Sequence, residues 1–67
     1  MIKIQLNGIL HKIKVNTNIE SLLKSLSISR HKIAVELNKE VLPKERYSKT
    51  ILKNKDQVEL VTFIGGG

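Results

Sequence analysis

The sequence has no cysteine and no tryptophan, and only one proline, one phenylalanine, one tyrosine and one methionine. Without cysteine there are no disulfides, thiolate metal sites, cysteine nucleophiles or persulfides on its own side chains. No apolar run reaches the roughly 18 residues of a membrane-spanning helix. The opening Met1-Ile2-Lys3-Ile4 lacks the apolar run and cleavage site of a signal peptide. The expected location is the cytoplasm, or the plastid stroma for an organelle-encoded chain. No Ser/His/Asp set, paired-carboxylate pattern, phosphate-binding loop or dinucleotide-binding glycine motif occurs. At 67 residues the chain has material for one domain and one aliphatic core. A deep substrate pocket as well would need more. An enzyme working in its own cleft is therefore disfavoured.

What the chain does have is basic charge, +6 in net terms with a pI near 9.9. Such a balance raises nucleic acid or an acidic surface as partners. The lysines, however, fall on every predicted element instead of forming one block, and Lys, Ile and Asn are abundant together, as an AT-rich coding sequence produces. A nucleic-acid or membrane partner is not expected on this charge alone.

Ile2, Ile4 and Leu6 alternate with Lys3 and Gln5, the period of a half-buried strand. Asn7-Gly8 then supplies the two positive-φ residues of a type I′ hairpin turn. A return strand over 9–15 places Ile9, Ile13 and Val15 inward, with His11 sharing their parity and Lys12 and Lys14 outward. His11 has no local metal-ligating partner, so no metal site is expected. Thr17-Asn18-Ile19-Glu20 matches a capping box, and Ile19, Leu22, Leu23 and Leu26 follow at the spacing of one helical face, with the helix ending near Ser27.

Ile33, Val35 and Leu37 mark a third strand, Val41-Leu42 a short fourth one stopped by Pro43, and Tyr47 a ring to lid the end of the core. Ile51 and Leu52 return toward the core, and Asn54-Lys55-Asp56 turns the chain into a last strand over 57–64. That strand is apolar on both faces, with Val58 and Leu60 on one and Val61 and Phe63 on the other. It is expected either at the centre of a mixed sheet or with one face on the core and the other under a partner; if central, it runs parallel to the first strand, with the helix as the crossover. Its end runs without a polar break into Gly65-Gly66-Gly67.

This order resembles the β-grasp, or ubiquitin-like, fold, an α+β architecture with a mixed four- to five-stranded sheet and one helix on one face. In particular the chain resembles the ThiS family, the sulfur carrier proteins of thiamine biosynthesis. The resemblance rests on Leu37-Asn38-Lys39-Glu40-Val41-Leu42-Pro43-Lys44-Glu45-Arg46-Tyr47 and on Asp56-Gln57-Val58-Glu59-Leu60 leading to Ile64-Gly65-Gly66-Gly67. Asn54-Lys55-Asp56 departs from the family's frequent Asp-Gly-Asp, so a less tight turn is expected there.

The resemblance implies a domain over 1–64, a flexible tail over 65–67 and a carrier acted on by enzymes. Gly67 becomes the covalent site, first as an adenylate and then as a thiocarboxylate, while Gly65 and Gly66 thread into the partner's active site. Val61, Phe63 and Ile64 are the candidate docking patch. The implied partners are an E1-like (ThiF-type) adenylating enzyme using ATP and Mg²⁺, a sulfur donor such as a cysteine desulfurase, and a ThiG-type thiazole synthase as acceptor. No cofactor is expected on this chain, which is expected to be a monomer alone. A molybdopterin-type carrier or another ubiquitin-like modifier shares tail and fold. A small basic RNA-binding β-grasp module is a different class of reading. The glycines as a processing scar is another.

Overall fold

A computed structural model describes residues 1–62. Strand β1 (Ile2–Leu6) turns at Asn7-Gly8 into β2 (Ile9–Ile13), and helix α1 (Ile19–Ser25) follows. After a 3₁₀ turn at Arg30–Lys32 come β3 (Ile33–Leu37) and β4 (Glu40–Leu42). A second 3₁₀ segment, Lys44–Lys49, leads on to β5 (Gln57–Thr62). The sheet order is β2-β1-β5-β3-β4. Strand β5 is central as the sequence predicts, parallel to β1 and antiparallel to β3.

The period-two pattern sorts these strands into two faces. Ile4, Ile13, Ile33, Val35 and Val58 turn inward and meet Ile19, Leu22 and Leu23 of the helix, with Leu52 closing the core. Tyr47 does more than lid the core, since its ring is fully buried within it. Burial pushes its phenol pKa up, against the opposing pull of a backbone hydrogen bond at Val35 and the nearby Arg30 charge.

Several expectations are corrected. Asn18, not Thr17, caps the helix: its Oδ1 accepts from the Ser21 amide at 2.7 Å. The Thr17 hydroxyl donates to the Lys14 carbonyl, and Glu20 pairs with Arg30 instead of reaching back. The cause is a long-range anchor. The Leu52 amide donates to the Thr17 carbonyl at 2.8 Å, the Ile19 amide donates to the Thr50 carbonyl at 3.1 Å, and Asn18 bridges Ile51. That anchor holds the chain extended through Asn18, and Asn is as good a cap as Thr. The helix ends at Ser25 with Leu26 as its C-cap, near Ser27 as the spacing predicts.

Strand β2 stops at Ile13, the last ladder partner of Ile2, so Val15 lies past the strand and is exposed. Ile9 has inward parity yet is 72% exposed. The helix has only 7 residues and spans about 10 Å, too short to cover the turn end of an edge strand. Ile51 stays exposed, and Leu52 alone of that pair enters the core. Lys55 takes φ 75 in the 54–56 turn, where the resemblance leads one to look for glycine.

Candidate functional site

Strand β5 is held from both sides, by β1 through Gln5↔Gln57 and Leu6↔Val58 and by β3 from Leu37↔Val58 to Ile33↔Thr62. A strand hydrogen-bonded along both flanks is the most firmly fixed element of a sheet. Whatever follows Thr62 is thus attached to the rigid middle of the fold. Val61 sits on the outer face, away from the helix, and is 48% exposed. It faces Ala34 across the ladder.

One step toward the start of β5, Glu59 faces Glu36, which in turn faces Val41 of β4. Val41 is 72% exposed. The outer face therefore presents two valines and an alanine beside two neighbouring carboxylates. On the β1–β2 half of the same face, Lys3 stands opposite Lys12. The sequence reading placed Val61 in a docking patch and missed Val41, because a two-residue apolar pair before proline carries no sign of which face it takes.

Of the predicted site residues, only Val61 is among the described ones. Phe63, Ile64, Gly65, Gly66 and Gly67 lie outside the described residues, as does the boundary between domain and tail. His11 lines an open groove of about 540 Å³ between β2 and α1, floored by Ile13, Leu22 and Leu26. It gathers no ligand set: among the described residues there is no group of three or more His, Cys, Asp and Glu that could hold a metal. Among the described residues no polar or charged side chain is buried. No described helix is long and apolar enough to cross a membrane.

A family model described as the ThiS family matches residues 4–67, nearly the whole chain. The chain belongs to the ThiS family. The sulfur carrier protein ThiS of Bacillus subtilis is 43% identical over 65 residues, covering 96% of this chain and 98% of its own length. The crystal structure of the thiamine biosynthesis protein ThiS from Geobacter metallireducens is similar in fold, with a TM-score of 0.85 and 33% identity. That match covers 98% of this chain and all of the Geobacter chain. It agrees with the β-grasp reading. A thiazole synthase of Magnetococcus marinus is 45% identical over 65 residues, 97% of this chain. The chain spans only about a fifth of that protein's length.

Within the ThiS family, the described residues form the sheet from whose central strand the sequence runs on to Gly65-Gly66-Gly67. They bring together Val61, Ala34 and Val41 on one face and do not assemble a catalytic set.

Proposed function

We propose that this chain is a sulfur carrier of thiamine biosynthesis, whose working group is the Gly67 carboxyl and which is itself no enzyme. The observation that carries the reading is the ThiS-family match running through residue 67, with three glycines following the central strand almost at once. A carboxylate is ionised at neutral pH and resists nucleophilic attack, so it needs activation.

An E1-like (ThiF-type) enzyme supplies this. A Gly67 carboxylate oxygen attacks the α-phosphorus of Mg²⁺-bound ATP, pyrophosphate leaves, and an acyl-adenylate remains. Hydrosulfide, released from the persulfide of a donor such as a cysteine desulfurase by a thiol reductant that is itself oxidised to a disulfide, then attacks the acyl carbon. AMP leaves, one proton is released, and the product is a thiocarboxylate. A ThiG-type thiazole synthase takes the sulfur. The Magnetococcus thiazole synthase, which contains a stretch 45% identical to this chain, supports that acceptor over a molybdopterin one.

Gly65 and Gly66 suit a threading segment because they bring no side chain to a narrow channel and accept φ of either sign. Val61, Phe63 and Ile64 make the docking patch, extended by Val41. The experiment is the intact mass of the chain after incubation with ATP, Mg²⁺, the adenylating enzyme and sulfide. One oxygen-for-sulfur exchange at Gly67 is expected, and its loss on deleting Gly66 and Gly67. No exchange in the full chain, with an adenylating enzyme shown competent on the Bacillus protein, rejects the carrier reading. The same deletion discriminates against an RNA-binding module, which would lose nothing by it.

A further inference from the structure

Both hairpins turn on an asparagine in the left-handed region. Asn7 (φ 49) precedes Gly8 (φ 81), and Asn38 (φ 51) precedes Lys39 (φ 71). Asparagine tolerates this conformation, so turn chemistry alone accounts for its presence. It does not account for where the side chains go. Each carboxamide reaches the backbone of β5 from one flank. Asn38 grips the start of the strand, its Oδ1 accepting from the Gln57 amide at 2.9 Å and its own amide donating to the Gln57 carbonyl at 2.7 Å.

Asn7 grips the other end. The backbone ladder of β1 stops at Leu6↔Val58, where the chain turns away, and the Asn7 amide donates to the Val58 carbonyl at 2.9 Å. The side chain then takes the place of a further strand residue. Its Oδ1 accepts from the Leu60 amide at 2.7 Å, and its Nδ2 donates to the Leu60 carbonyl at 3.3 Å. One carboxamide thus fills both halves of a rung that the backbone of β1 cannot reach. Among the described residues it is the last hydrogen-bonded support on the β1 flank before Thr62.

We propose that Asn7 is a positioning residue for the carrier reaction: its carboxamide fixes the direction in which β5 delivers the glycine segment to the partner. This rests on the sulfur-carrier reading. Without the rung, the end of β5 is held from the β3 side alone and samples directions in which the segment does not enter a narrow channel. Apparent affinity falls by the fraction of chains correctly aimed, while the chemistry once seated is unchanged.

Asn7→Gly separates the two roles, since glycine keeps the positive-φ turn and removes the carboxamide. Asn7→Asp keeps the acceptor for the Leu60 amide, tolerates the turn, and serves if the glycine variant folds poorly. Asn38→Gly is the control, loosening β5 at the end remote from the tail. Two readouts are needed: amide exchange at Leu60 and Thr62 by NMR, and the carrier-concentration dependence of mass gain with the adenylating enzyme, ATP and sulfide.

Asn7→Gly is expected to speed Leu60 exchange about tenfold, the scale of losing a rung of neutral hydrogen bonds. It is expected to raise KM for the chain severalfold at nearly constant kcat. Asn7→Asp should fall between Asn7→Gly and the native chain, and Asn38→Gly should leave KM unchanged. A KM for Asn7→Gly equal to native, or the same rise in Asn38→Gly, overturns the proposal while the carrier reading stands. No mass gain in the native chain rejects the carrier reading, and Asn7 as a positioning residue for it; the exchange result then reports only the strand clamp.

Discussion

On the inner face of the sheet Ile4, Ile13, Ile33, Val35 and Val58 are withdrawn from water, while on the outer face of the same sheet Lys3, Lys12, Glu59, Val41 and Val61 stand in it. The inner face is filled by one helix and obeys a single demand, the removal of apolar surface. The outer face obeys none that folding imposes. It keeps apolar side chains exposed near the end of β5 and sets like charges opposite each other in two places, Glu36 with Glu59 and Lys3 with Lys12. Like charges directly opposite weaken a sheet. Stability is thus concentrated on one face, leaving the other free to be shaped by what docks there.

The sharpest way to break this contrast is to shave the inner face. Ile4 is fully buried at the middle of β1. Ile4→Ala is expected to cost about 3 kcal/mol, from lost burial and the cavity left behind. A domain of this size has roughly 3 to 10 kcal/mol in all, so the variant should be largely unfolded at moderate urea. A urea midpoint close to the native one would show that the core is not the main source of stability.

A smaller loss is expected where the helix and the two 3₁₀ segments are tied together. Arg30 Nη1 meets Glu20 at 2.7 Å, Nη2 donates to the Lys44 carbonyl at 2.9 Å, and the guanidinium lies 5.5 Å from the centre of the Tyr47 ring. The pair is partly open to solvent, which screens it. Arg30→Ala should therefore cost about 1 kcal/mol, measured by urea unfolding, and a double-mutant cycle with Glu20→Gln should show coupling. Beneath it, the raised Tyr47 pKa gives a pH signature. The folded state favours the neutral phenol, so this contribution is complete below the ordinary tyrosine pKa of about 10 and is lost as pH rises through the folded value. Tyrosinate absorbance should rise later than in the unfolded chain.

Much of this fold could be read from the residues because it is local. Asn7-Gly8 announces the first hairpin, the alternation of Ile33, Val35 and Leu37 announces β3, and a strand apolar on both faces belongs at the centre. What escaped was long-range. Nothing near residue 18 announces that Thr50 and Leu52 hold the chain extended there and move the cap from Thr17. Nothing near residue 7 announces a hydrogen bond to Leu60, 53 positions away. Periodicity also says which face a residue takes without saying whether anything covers it, and so Ile9 was expected inside. Of the candidate site, parity found Val61, while Gly65, Gly66 and Gly67 came from the resemblance to ThiS.

On the outer face the contrast predicts that stability and docking separate. Val61→Asp should shift the urea midpoint by less than about 0.5 kcal/mol in stability, as surface substitutions usually do. The same change should raise the KM of the adenylating enzyme for the chain by tenfold or more, since it puts a charge into the apolar patch. An unfolded variant, or a folded one that docks normally, removes Val61 from the patch.

The finest test is of the carboxylates beside that patch. Glu59→Gln removes one charge from the Glu36↔Glu59 pair and keeps the side chain's shape, so it should make the domain more stable, by about 0.3 kcal/mol. The sign is the informative part, because most substitutions destabilise. The gain should shrink as salt rises from about 0.01 M to 1 M, where screening shortens the reach of exposed charges from about 30 Å to 3 Å. Glu36→Gln should give a similar gain, and the double variant no further gain of the same size, since the repulsion is gone once either charge is removed. Two independent, salt-insensitive changes would mean that the carboxylates do not feel one another. The outer face would then be an ordinary solvated surface, and its contrast with the core would reduce to exposure alone.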